Sequence, residues 1–215
     1  MKARILLVLA GCIAALPAFA APGPGSSPAR APTPEELRML HELSRCMVKD
    51  HGKKVERLLA MDYRSAAYAP ALRSLARDGG RCFPYFGALR MSSVLLAGGL
   101  AEASLPAALN GSPLAQRVAY DPSKPAVKPH DEGEYLGLCA VRTMPDEVAA
   151  LLATAAGSAE EATAAGVIAP KLAPCVQAGA SARINRPGLR ALFALAAYRL
   201  VTGRGLQPAA QPGIQ

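Results

Sequence analysis

Two cysteine pairs with the same internal spacing constrain this 215-residue chain more than any other feature in it. Cys46 and Cys82 stand 36 positions apart, and so do Cys139 and Cys175, with 93 positions between the first member of each pair. Laying residues 43–105 over 136–198 without a gap brings further identities into line, among them Leu43, Val48, Val55, the run Leu58-Leu59-Ala60, Ser65, Arg90 and Leu96. A period of 93 is too long for a solenoid repeat and matches a small domain made twice. Four cysteines allow three pairings. If equivalent cysteines occupy equivalent places, the expected pairing is Cys46–Cys82 and Cys139–Cys175. Each such loop would restrict the unfolded chain by about 4 kcal/mol on entropic grounds.

Hydrophobic residues make up 51% of the chain but aromatic residues only 5%, with no Trp. Apolar content built on Ala, Leu and Val favours packed helices over a β-sandwich. The expected fold is therefore all-α: a tandem duplication of a small, disulfide-stapled four-helix unit, with the two units packed about a pseudo-two-fold.

Residues 1–20 read as a secretory signal, with Lys2 and Arg4 ahead of an apolar run, Pro17, and a small-residue cleavage site ending at Ala20. A lipobox-like Leu9-Ala10-Gly11-Cys12 offers the alternative of a lipid anchor at Cys12. No later segment is long and apolar enough to span a bilayer. Cleavage after Ala20 would leave four cysteines, an even count that suits an oxidising compartment and a periplasmic or secreted address.

Residues 21–33 are rich in Pro, Gly and Ser and read as a flexible tether. Thr33-Pro34-Glu35-Glu36 supplies an N-cap, a first-turn Pro and a capping-box Glu, opening a helix over 34–50 that Gly52 interrupts. The first helical unit is expected over 34–105, its last helix stopping before Pro106. A linker over 106–133 leads to a second unit over 134–203, and a frayed tail over 204–215 follows. Ser158-Ala-Glu-Glu161 and Asn185-Arg186-Pro187 mark two further helix starts in the second unit.

Little in the sequence carries chemistry. Arg45, Lys49, Lys53 and Arg57 fall four apart, but Glu42, Asp50 and Glu56 dilute them, which reads as a solvated face and argues against nucleic acid. His41, His51 and His130 are scattered, and a site joining His41 and His51 to Cys46 would need a reduced sulfur, so no metal site is expected. No HExxH, GxSxG, Cys-x-x-Cys or phosphate-binding loop occurs, and neither a catalytic residue nor a cofactor site is expected. Glu35-Glu36, Asp146-Glu147 and Glu160-Glu161 sit at helix starts, where they complement the helix dipole. Gly98-Gly99 lies inside an apolar helical run, where close packing is the expected reason. Arg90 and Arg183 are repeated between the copies and are candidates for a structural bridge or a ligand contact.

The order Cys, Leu-Leu-Ala, Ser, Cys and then "RINRPGLRALFALAAYRL" resembles a family of secreted, sphingomonad-type alpha-proteobacterial proteins with no assigned activity. The resemblance covers most of 37–202 and implies fold and address only. The first functional expectation is a non-enzymatic envelope protein, structural or engaging a protein partner. The second is a carrier of a small apolar ligand or lipid in a groove between the units. An enzyme comes third.

Overall fold

The computed structural model describes residues 31–78, 80–82, 92–121, 127–129, 131–176, 184–204 and 207–208. The chain divides into Met1–Ala31 and Pro32–Gln215, and the described helices lie in the second unit. The expected signal over 1–20, with Cys12, most of the tether, Arg90, Arg183 and His130 lie outside the described residues.

The fold is all-α, with eight helices among the described residues: α1 (Pro34–Leu59), α2 (Tyr68–Asp78), α3 (Ser93–Leu109), α4 (Leu114–Val118), α5 (Glu132–Thr143), α6 (Pro145–Ala153), α7 (Ala159–Ile168) and α8 (Arg186–Thr202). The Thr33 box is formed: its hydroxyl accepts from Glu36 N at 3.2 Å, and the Glu36 carboxylate accepts from Thr33 N at 2.7 Å. Asp131, Ser158 and Asn185 cap α5, α7 and α8 in the same manner.

Both expected disulfides are present, Cys46–Cys82 and Cys139–Cys175, with Cα–Cα separations of 5.8 and 5.5 Å. A shift of 93 positions also relates backbone features. It carries the bounds of α3 onto those of α8, and carries the left-handed C-cap Asn110 (φ 49) onto the left-handed C-cap Gly203 (φ 68). Asn and Gly are the residues that tolerate that conformation. The kink inside α1 falls at His51 (φ −134, ψ 29), one residue before Gly52, and 93 positions later Met144 (φ −137, ψ 51) separates α5 from α6. Lys54 bonds Asp78 at 2.7 Å, and at the matching positions Lys171 bonds Glu147 at 2.5 Å with the signs reversed.

Three boundaries differ from expectation. α3 runs through Pro106 to Leu109. Proline breaks helices by removing an N–H and crowding the carbonyl four residues back, but in the last turn it forfeits a single bond. The stretch 106–133 therefore holds the end of α3, all of α4 and the start of α5, rather than linker alone. Within the tail, Gln207–Pro208 pair antiparallel with Val127–Lys128 instead of fraying.

The two helical halves share one core. Residues from all eight described helices form a single buried cluster, and α8 lies at its centre, buried continuously from Arg190 to Arg199 and again at Val201. A helix apolar all round is a core helix. The closest approach of α3 to α8 is at Gly98, where a β-carbon would overlap Ala191 Cα and Cβ and come within 2.8 Å of its carbonyl oxygen. Gly98 and Ala191 are themselves 93 positions apart. Gly99 similarly lies against Ser44, so close packing accounts for both glycines.

Candidate functional site

Two places around the α3–α8 contact gather polar side chains: a buried cluster on Arg190 and an open groove beside Tyr198. They differ in what is left uncommitted.

Arg190 enters the core from the first turns of α8. Its guanidinium grips Glu102 of α3 in bidentate fashion, Nε to Oε2 at 2.9 Å and Nη2 to Oε1 at 2.6 Å. Nη1 also donates to Glu161 Oε1 at 3.2 Å, Thr154 Oγ1 at 3.1 Å and Leu151 O at 3.1 Å. Nη2 donates further to Leu152 O at 3.1 Å and Thr154 O at 2.8 Å. The three carbonyls belong to the C-terminal end of α6, whose last C=O groups lack helical partners, so Arg190 acts as its C-cap and sets a cation against its negative dipole end.

Glu161 is fully buried and takes its remaining bond from Gly157 N at 2.9 Å, with Arg186 Nε at 3.3 Å. Its place at a helix start suggested dipole compensation alone; it is also the counter-ion of a buried arginine. Burial opposes the Arg190 charge, but the bonds to Glu102 and the field of Glu161 outweigh it and raise the Arg190 pKa.

His41 of α1 closes this cluster, Nδ1 lying 3.4 Å from Glu102 Oε1. Burial lowers its pKa from 6.5; Glu102 opposes that, while Arg190 and Arg45 reinforce it. An imidazole held by a carboxylate can serve as a general base. Here, however, the carboxylate is already held by Arg190, and the adjoining cavity of about 10 Å³ has room for about one water. The cluster is a structural lock joining α1, α3, α6, α7 and α8.

A second buried arginine, Arg199, stands nine residues on, half a helical turn round to the other side of α8. Nη1 donates to Glu134 Oε1 at 2.6 Å and Nη2 to Met61 O at 3.1 Å. Its Nε and the neighbouring Tyr68 hydroxyl are buried without hydrogen-bond partners among the described residues. Burial pushes the Tyr68 pKa up, and the Arg199 charge only partly offsets this.

The groove is larger. It encloses about 410 Å³ and is lined by α1 (Val48, Gly52, Glu56), α3 (Ser104, Ala107, Ala108), Arg117 of α4, and α8 with its following turn (Tyr198, Val201, Thr202, Arg204). It therefore lies between the first-half helices and α8. Arg117 Nη2 donates to Val201 O at 3.3 Å, and Arg204 Nη1 to Glu56 Oε2 at 2.6 Å. Burial raises the pKa of Tyr198, an effect opposed by Arg204.

The other residues singled out in the sequence are dispersed. His51 sits at the α1 kink. Among the described residues, Cys46, Asp50 and Cys82 are the cluster compact enough to share an ion, but the two sulfurs are bonded to each other and neither is a thiolate. No described helix is long and apolar enough to cross a membrane. No family model, no curated protein and no solved structure matches the chain.

Proposed function

We propose that this chain is a non-catalytic, exported binding protein whose working surface is the groove between its two halves. In this reading the halves are copies of one stapled helical unit arranged about a pseudo-two-fold near Gly98 and Ala191. The observation that carries it is the groove itself. At about 410 Å³ it falls in the size range of small-molecule sites, and it mixes an apolar floor with a few polar groups. Two disulfides support an oxidising address, periplasmic or secreted, reached by cleavage after Ala20 or, in the alternative, with a lipid anchor at Cys12. The resemblance to sphingomonad-type secreted proteins favours the same address. The Arg190 side of the α3–α8 contact, by contrast, is filled and offers a ligand no room.

The test is non-denaturing mass spectrometry of the exported protein, beside a variant in which Ala107→Phe fills the exposed mouth of the groove. A bound small molecule carried by the wild type and lost by the variant is the expected result. Equal mass additions in both proteins, or none in either together with no uptake of a neutral amphiphile such as decanol, would overturn the reading.

A protein partner is the second reading. Tyr120, 78% exposed, follows directly on α4, whose Arg117 lines the groove. An exposed aromatic is a common element of protein interfaces.

A further inference from the structure

Resting on the binding role just proposed, we infer that the groove selects an amphiphile with an anionic, carboxylate-type head. The argument is a count of which polar groups are still available. Ser104 spends its hydroxyl proton on Leu100 O at 2.8 Å, and Thr202 spends its own on Tyr198 O at 2.8 Å. Both are held by their own helices. Arg117 is tied at Nη2 to Val201 O, and Arg204 at Nη1 to Glu56. A guanidinium carries five N–H donors, so each retains donors beyond these contacts and the Tyr198–Arg204 bond.

Charge points the same way. Among the described residues, two guanidiniums and one carboxylate line the groove, and the carboxylate is already matched. The Arg204–Glu56 pair is about half exposed on both sides, at 46% each. Such pairs are weak, and an incoming carboxylate could share Arg204 at little cost. A cationic head would have to displace Arg204 from Glu56 while facing Arg117. Planar guanidinium donors match a carboxylate in bidentate geometry. Val48, Ala108 and Val201 supply an apolar lining that suits an alkyl chain, with Ala107 at the exposed mouth. The contrast with the Arg190 cluster is one of saturation: there a buried guanidinium is enclosed by carboxylates and carbonyls, whereas Arg117 and Arg204 are exposed and each keeps donors beyond its present bonds.

Isothermal titration of the disulfide-intact full chain with decanoate, decanol and decyltrimethylammonium, all below micelle-forming concentration, tests this. Decanoate is expected to bind at one saturable site and the ammonium amphiphile not to bind. Arg117→Gln and Arg204→Gln should each weaken decanoate about tenfold, the loss of one charge-assisted hydrogen bond, and leave decanol unchanged. Ala107→Phe should abolish both. If decanol and the ammonium amphiphile bind as tightly as decanoate, the groove is a binding site but the anion preference is wrong. If decanoate binds unaltered in both arginine variants, the head lies elsewhere and the inference falls. If none of the three binds, the groove reading falls with it.

Discussion

Arg190 and Arg199 invite comparison because they perform one task at two matched places. Each closes the carbonyl that ends a Leu-Leu-Ala helix, Arg190 at Thr154 and Arg199 at Met61, two positions 93 apart. Yet the arginines themselves are not equivalent. Shifted back by 93, their positions hold Ala97 and Pro106, so both cations come from α8, one reaching within its own half and the other across to the first. They also differ in completeness. Arg190 is surrounded by two carboxylates, a hydroxyl and three carbonyls, while Arg199 has one carboxylate, one carbonyl and a buried, unpartnered Nε. A shared backbone need thus permits unrelated side-chain solutions, and the fuller solution should be the stronger one.

Replacing Arg190 with Met tests the larger side. It takes a buried counter-ion from Glu161, which is wholly buried and keeps only Arg186 and Gly157 N among its described partners, leaves Glu102 without its bidentate partner and uncaps α6. Breaking a buried ion pair by removing one member costs about 3–5 kcal/mol, so urea unfolding should show a loss in that range. Arg199→Met removes one bond to Glu134 and one to the Met61 carbonyl, together with an already unsatisfied Nε. Its loss should be nearer 2 kcal/mol. Equal losses would show that the count of bonds around each guanidinium does not measure its contribution, and the comparison would break.

Why these arginines escaped sequence reasoning follows from where their partners lie. Thr33, Ser158 and Asn185 were legible because a cap and its target are three residues apart. The disulfides were legible because the same spacing occurs twice. Arg190, however, takes its bidentate partner from 88 residues away, and Arg199 reaches a carbonyl 138 residues away. Only the fold supplies those pairings. Matching positions drew attention to Arg90 and Arg183, yet the groove and the buried cluster are built where the halves differ: Arg117 lies between the stretches 43–105 and 136–198 that the 93-residue shift relates, Arg204 follows the second, and the shift carries Glu56 onto Ala149. The one local cue was Arg190 and Arg199, nine positions apart, bracketing the largely apolar run of α8 that follows Arg186. Proline 106 misled for the opposite reason, since its local rule was overridden by its place in a final helical turn.

His41 sharpens the comparison at smaller amplitude. The matched position 93 residues on is Glu134, the partner of Arg199, so one cluster holds an imidazole where the other holds a carboxylate. His41 faces Glu102 from α3, Arg190 from α8, Glu161 from α7 and Arg45 from its own helix. Its folded pKa lies below 6.5, chiefly through burial. As pH falls through 6.5, the unfolded chain binds a proton that the folded chain resists, so stability declines. The decline ends once pH drops below the folded value. Urea midpoints of the wild type should therefore fall on mild acidification, and His41→Asn should flatten the dependence over the same window. An unchanged slope in the variant would place the titrating group elsewhere.

The smallest effect concerns the reversed ion pairs, and it bears most directly on whether the halves are copies. Lys54–Asp78 and Glu147–Lys171 span matched positions, with the positive charge on α1 in one half and, in the other, on the 3-10 turn that follows α7. If the two frames are equivalent, either polarity should serve in either place. Reversing the first pair completely, Lys54→Glu with Asp78→Lys, should restore wild-type stability, whereas each single change sets like charges 24 residues apart in sequence but adjacent in space, and should lower it. Exposed pairs are weak and screened by salt, so the cycle must be run at low ionic strength. A double variant worse than either single would mean that the geometry around the first pair accepts one polarity only, and that the match across 93 positions stops at the backbone.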